Sequence, residues 1–215
     1  MSGLAGAKPP ERVVLEGTYT RLEPIALHHA ESLFEATTDE GGRRYRWLFS
    51  EAPGSVAELR ERIDASMTKA DPMVFAVIDR ESGRALGQQS LMRIVPADGC
   101  IEIGGITWGQ GVARTRLATE ALYLFARYVF DELGYRRFEW KCNNRNEPSK
   151  AAAERFGFSF EGVFRQHMIV KGENRDTAWF SMLDGDWPRL RAGYERWLDP
   201  SNFEPDGTQR TKLLF

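Results

Sequence analysis

The chain has 215 residues, with 29 Lys and Arg against 31 Asp and Glu, a formal net charge of −2. That length suits one domain, and 42% hydrophobic with 28% charged residues is ordinary globular usage, which excludes a disordered or low-complexity chain. The near-zero charge argues against a nucleic-acid binder that works by bulk electrostatics, but not against an anion held at one local site.

No apolar stretch approaches the roughly 18 residues of a membrane span. Met1 to Glu11 carries Lys8 and two prolines and no apolar core, unlike a signal peptide or anchor. Cys100, Cys142, His28, His29 and His167 lack metal-ligand spacing, so no structural metal is expected. The expectation is a cytoplasmic protein with no membrane and no nucleic-acid partner. Residues 1–12 read as a flexible tail, 13–198 as a single domain and 199–215 as a polar C-terminal tail.

In chain order, Val13 to Leu15 and Tyr19 to Leu22 have strand character, broken at Glu16–Gly17. Pro24 opens a helix over Ala26 to Thr37, followed by a polar turn and the aromatic run Tyr45 to Phe49. A second helix, Val56 to Met67, has Ser55 as its cap, with Glu58 three positions on. Met73 to Ile78 and Ala85 to Val95 are strands, and Pro96 to Gly99 is a turn. Cys100 to Trp108 is a strand with Ile101 and Ile103 on one face and Glu102 on the other. Gly104–Gly105 inside it suggests a bulge.

Arg116 to Leu133 is the strongest helix, with a narrow polar stripe of Glu120, Tyr123, Arg127 and Asp131, and Gly134 ends it. Arg137 to Cys142 is a strand, Asn143 to Asn146 a turn, and Pro148 opens a short helix ending at Phe156–Gly157. Phe158 to Val163 and Thr177 to Leu183 are strands, and Trp187 to Trp197 is a last amphipathic helix. The order predicts a mixed α/β sheet with helices on both faces.

The loop Gly109 to Thr115 feeds the N-terminus of the long helix. Such an end presents unpaired N–H groups and a positive dipole, so it binds phosphate-type anions, and Arg114 and Arg116 add charge.

Three further segments narrow the reading: Ala118-Thr119-Glu120-Ala121; Asn146-Glu147-Pro148-Ser149 with Ala153-Glu154-Arg155-Phe156-Gly157-Phe158; and Arg175-Asp176-Thr177-Ala178. Together, over Val13 to Leu198, the chain resembles the GNAT superfamily of acyl-CoA-dependent N-acyltransferases. It is similar above all to the branch that acetylates ribosomal-protein N-termini. The resemblance implies a mostly antiparallel sheet with a V-shaped splay after the fourth strand, acetyl-CoA as donor, and an amine acceptor, peptide or small molecule. Homodimers are common in that family.

In that family the loop amides hold the coenzyme pyrophosphate, in a Gln/Arg-x-x-Gly-x-Gly/Ala pattern. Here the loop reads Ala113, Arg114, Thr115, Arg116, Leu117, Ala118, followed by Thr119. Ala113 departs from the first position and Arg116 from the central Gly. Arg116 would either pair with phosphate or block the pocket. The resemblance also implies that Asn146 bonds the pantetheine arm and that Ser149 and Lys150 lie near the coenzyme. Many members carry a Tyr acid where this chain has Ala153, so Ser149 is the nearest substitute.

Direct attack of an amine on a thioester needs a base, an oxyanion site and an acid. Glu102, tuned by partial burial, is the candidate base, and amides near Gly105 and Ile106 form the candidate oxyanion site. Cys142 reads as a core residue. Tyr45, Trp47 and Phe49 are candidates for an acceptor wall. His167, in the Phe164-Arg165-Gln166-His167 segment, is a candidate substrate contact and second base. Two other readings stay open: a non-catalytic acyl-CoA binder, and an interaction protein on the same fold.

Overall fold

A computed structural model describes residues 6–215. Thirteen elements follow in order: β1 (Leu15–Glu16), β2 (Thr20–Pro24), α1 (Ala30–Thr38), α2 (Val56–Met67), β3 (Met73–Asp79), β4 (Ala85–Val95), β5 (Cys100–Trp108), α3 (Arg116–Arg127), β6 (Arg137–Asn143), α4 (Glu147–Arg155), β7 (Ser159–Val170), β8 (Glu173–Leu183) and α5 (Trp187–Leu198). The strands form one sheet in the order β1-β2-β3-β4-β5-β6-β8-β7. Every neighbouring pair is antiparallel except β5 and β6, which are parallel and joined through α3.

The strand pattern shows why helices cover both faces. In β3, Met73, Phe75 and Val77 join one core with α3 and α5, while Val74, Ala76 and Ile78 join a second core with α1 and α2. A strand buried on both sides reads as a continuous apolar run, as Met73 to Ile78 does. The cap on α2 forms as expected, Ser55 accepting from the Glu58 amide.

The β5–β6 ladder runs from Cys100 opposite Arg137 to Ile103 opposite Trp140 and stops there, although both strands continue. The sheet therefore splays at this seam. This is the splay expected after the fourth strand, since the two-residue β1 adds one to the count.

Three expectations change. The polar stripe of α3 is not a solvent face. Glu120 is buried and accepts from the amides of Thr18, Tyr19 and Thr20 at 2.7, 2.6 and 2.6 Å. Tyr123 donates to Glu195, and Asp131 accepts from the Trp187 indole. The β1–β2 turn and α5 thus supply partners along the stripe, burying Glu120 and Tyr123 and leaving Asp131 at the surface. The long helix runs as far as expected but changes character: it is α-helical to Arg127, and Tyr128 to Glu132 widen into a π-helical turn, with the Leu133 amide on the Tyr128 carbonyl.

The third change concerns the expected tails. Met1 to Ala5 lie outside the described residues. From Gly6 onward the N-terminal segment is tied down by Ala7 N–H to Pro96 O, Lys8 N–H to Leu133 O and Glu11 N–H to Tyr128 Oη. At the other end Phe203 is buried, Asn202 bridges the Trp197 carbonyl and Thr211, and the Phe215 ring packs at a tilt against Tyr194. A Cβ on Gly193 would come within 2.6 Å of the Phe215 ring, so that glycine makes room for the last residue. Residues 199–215 are part of the packed body.

Candidate active site

The splay opens a cleft of ≈1550 Å³ between β4–β5, α3 with its preceding loop, β6 and α4. Its middle is set by a bulge. Gln88 faces Thr107 and Ser90 faces Gly104, so Gly105 and Ile106 together oppose the single Gln89. Gly105 takes φ +59°, which an L side chain tolerates poorly, so glycine is required for the kink. Gln89 is fully buried and locks the bulge in place: its amide donates to the Ala121 carbonyl in α3, and its oxygen accepts from the Trp108 indole. Across the splay, Ser149 lines the cleft, its Oγ accepting from Trp140 Nε1 at 3.0 Å and its hydroxyl reaching the buried Cys142 sulfur.

One end of the cleft is built largely from backbone. The Val112 and Ala113 amides bond the Gly109 carbonyl, the Thr115 amide bonds Val112, and the Leu117 amide bonds the Thr115 side chain. The amides of Arg114 and Arg116 make none of these bonds and stand at the positive end of α3. Arg114 holds the strained conformation here, φ +66°. Arg116 has no positive φ, so the missing family glycine costs no backbone strain. Its guanidinium lies 4.3 Å from the Tyr19 ring and 5.5 Å from the Phe203 ring. That aromatic pair holds the side chain, which still lines the cleft. Arg155 lines the same end, donating to Thr119 and stacked against Phe156 and Trp197.

The other end is built from buried side-chain charge. Glu102 Oε2 accepts from Lys141 Nζ at 2.8 Å and Arg93 Nη1 at 2.6 Å, and Lys141 also reaches Glu139 at 2.6 Å. Glu102 and Lys141 side chains are each only 4% exposed. Lys141 also sits 3.9 Å from the Trp179 ring. Burial alone, expected to prepare Glu102 as a base, is thus accompanied by two fixed cations on one of its oxygens. Lys141 and then Arg137 pull Glu139 below the usual carboxylate range despite its burial.

Of the residues singled out by sequence, Glu102, Ala113, Arg114, Thr115, Arg116, Leu117, Ala118, Asn146, Ser149, Tyr45 and Trp47 line this cleft. Three do not. Thr119 is buried in α3 and accepts from Arg155. Lys150 is half-buried and engaged by Glu147 and the Asn144 carbonyl instead. His167 is exposed on the β7–β8 hairpin and does not line the cleft, its Nδ1 lying 2.9 Å from the Thr177 Oγ1 that Arg175 also bonds. Tyr45 is a wall residue whose hydroxyl is already engaged by Thr37. Cys142 is buried, and burial pushes its thiol up, away from thiolate chemistry.

Sequence reasoning missed Arg93, Lys141, Arg155, and Phe203 with Gln209 of the supposed tail, all of which line the cleft. Lys141 was findable, because it shares the β6 face opposite Phe138 and Trp140. Arg93 was not, since it reaches the cleft from a left-handed bulge position (φ +48°) held by the Asp71 carboxylate.

Glu23, His28 and His29 also gather, with ligand atoms within 4.8 Å, outside the cleft. His29 Nδ1 accepts from the Ala26 amide, so the neutral ring carries its proton on Nε2 toward Glu23. Burial also holds His29 below the usual imidazole value. The nitrogen facing the trio is a donor, which suits a hydrogen bond and not a metal.

The comparisons with known proteins agree with this fold. The family described as "Acetyltransferase (GNAT) domain" matches residues 20–159. The "Putative ribosomal N-acetyltransferase YdaF" of Bacillus subtilis (strain 168) is 31% identical over 79% of this chain and 92% of its own length. A crystal structure of a GCN5-related N-acetyltransferase from Brucella melitensis superposes with a TM-score of 0.96 at 51% identity, covering 99% of this chain and 97% of that one. The microcin C7 self-immunity acetyltransferase MccE, solved with acetyl-CoA and AMP, shares the fold at a TM-score of 0.69 and 22% identity, over 78% of this chain and 93% of its own. This chain belongs to the GNAT acetyltransferase family.

Proposed function

We propose that the protein transfers an acetyl group from acetyl-CoA to a primary amine, a peptide N-terminus or a small-molecule amine, by direct attack. One observation carries this reading. The β5 bulge and the Ser149 hydroxyl face one cleft across the splay, with the α3 N-terminus at its far end. The residues suit the donor. The buried Thr107 hydroxyl in the cleft wall has no partner among the described residues, as a polar ligand arm would require. Amides at Arg114 and Arg116 with no bond partner among the described residues, and Arg155 lining the same end, suit a pyrophosphate.

When bound, acetyl-CoA supplies an activated acyl carbon. Amides at Gly105 and Ile106 are assigned to hold the developing oxyanion. Glu102 takes the amine proton through Oε1, the oxygen not held by Lys141 or Arg93. A C–N bond forms, the C–S bond breaks, and Ser149 delivers a proton to the departing sulfur. Ala153 is fully buried and does not line the cleft, so it takes no part. Asn146 is assigned to the pantetheine arm and Tyr45 and Trp47 to the acceptor wall. The plugged-pocket reading rested on Arg116 and loses its motive, because Tyr19 and Phe203 hold that side chain.

The test is calorimetric titration with acetyl-CoA together with a CoA-release assay over peptides and small amines. Micromolar binding with turnover of at least one amine is expected. Binding without turnover of any amine would favour the non-catalytic acyl-CoA binder.

A further inference from the structure

The acceptor end of the cleft contains a cation that its own protein leaves unmatched. Arg175 on β8 is only 7% exposed and lines the cleft. Its neighbours Arg93 and Lys141 are each paired with a carboxylate. Arg175 has none within ion-pair distance among the described residues. Its one hydrogen bond to the protein is Nε to Thr177 Oγ1 at 3.2 Å, which orients the group but brings no charge. The Phe49 ring, 5.0 Å from the guanidinium carbon, walls one side of it. Burying a charge without a counter-charge is costly, and proteins rarely sustain it without a ligand that completes the pair. The terminal nitrogens of a guanidinium in this setting form a planar fork that matches a carboxylate.

We propose that Arg175 binds a carboxylate carried by the acceptor, so that the protein acetylates amines that are also carboxylic acids, such as free amino acids. The proposal rests on the acetyltransferase reading and names its substrate class. A carboxylate in this position pairs with Arg175, and the two cations on Glu102 Oε2 offset the repulsion from that carboxylate. A plain alkylamine or an amide would leave Arg175 as unmatched as before. Burial also holds the Arg175 guanidinium below its ordinary value, chiefly through lost hydration, as expected for a cation waiting on an anion.

The experiment uses the full chain and compares amino acids with their C-terminal amides as acceptors, with phosphoethanolamine as a phosphate-bearing probe. Amino acids are expected to exceed their amides at least tenfold in kcat/KM, mainly through KM. Arg175→Gln should erase that preference, and Arg175→Lys should restore part of it. Because the charge is unmatched, Arg175→Gln should not lower the melting temperature of the ligand-free protein. Equal rates for amides, preference for phosphoethanolamine alone, or a preference that survives Arg175→Gln would each overturn the proposal. If no acceptor turns over, the acetyltransferase reading fails separately. Calorimetry in the presence of CoA then compares N-acetyl amino acids with N-acetyl amino acid amides. At least tenfold tighter binding of the acids, lost in Arg175→Gln, supports the carboxylate site, and equal or absent binding overturns it.

Discussion

The two ends of the cleft are both cationic, but they are built differently. The end at α3 relies on backbone amides and a helix terminus, and its arginines lean on aromatic rings. The end at β5–β6 relies on charged side chains placed by the sheet, where Glu102 and Lys141 are buried and paired and Arg175 is left without a carboxylate among the described residues. Backbone donors exist whatever residue carries them, so the first end tolerates substitution. Ala113 and Arg116, the two departures from the family pattern, both fall there. Buried charges depend on every partner, so the second end should tolerate almost nothing.

The largest expected effect tests that intolerance. Glu102→Gln leaves Lys141 with one carboxylate and should cost about 3 kcal/mol of stability, the lower range for breaking a buried pair. Denaturant unfolding measures this, and acetyl transfer should fall at least a hundredfold, as for loss of a general base. A loss under 1 kcal/mol would show the acceptor end to be as forgiving as the donor end.

Ser149→Ala comes next. It should lower kcat by about a hundredfold, at the low end for a proton donor, while acetyl-CoA affinity stays within threefold. A matching loss of affinity instead would make Ser149 part of the binding surface alone.

Arg116→Ala should be milder. Losing one charge-assisted contact to phosphate raises the dissociation constant for CoA by about tenfold. Tighter binding would reverse the assignment and make Arg116 an obstruction.

The smallest effect lies at the outer edge of the charged face. Arg137 and then Ser181 pull the Glu161 carboxyl from its ordinary 4.5 to about 2. A carboxylate lowered in the fold stabilises above its unfolded value and loses that contribution as pH falls. Melting temperature should therefore drop between about pH 4.5 and 2, and Glu161→Gln should flatten that segment of the profile. The group is partly exposed, so the effect is modest and should shrink with added salt.

Local chemistry was legible in the sequence where one segment carried its own signal. Periodicity gave β3, α2 and α5, the Gly104–Gly105 pair gave the bulge, and the loop before α3 gave the anion end. These features follow from backbone geometry and short-range spacing, which a linear chain records. What the chain order could not record was which distant residues share a space. Phe203 meets Arg116 because the last seventeen residues fold back over α3, and that needs the whole body. Arg93, Glu102, Lys141 and Arg175 come from four strands and meet only where the sheet splays. His167 and Lys150 have suitable chemistry but do not line the cleft, each engaged by another partner. The sequence by itself determined the family, the elements and the helix terminus that suits a phosphate. Only the tertiary structure decided the charge at the acceptor end, because burial and pairing are properties of residues brought together across the fold.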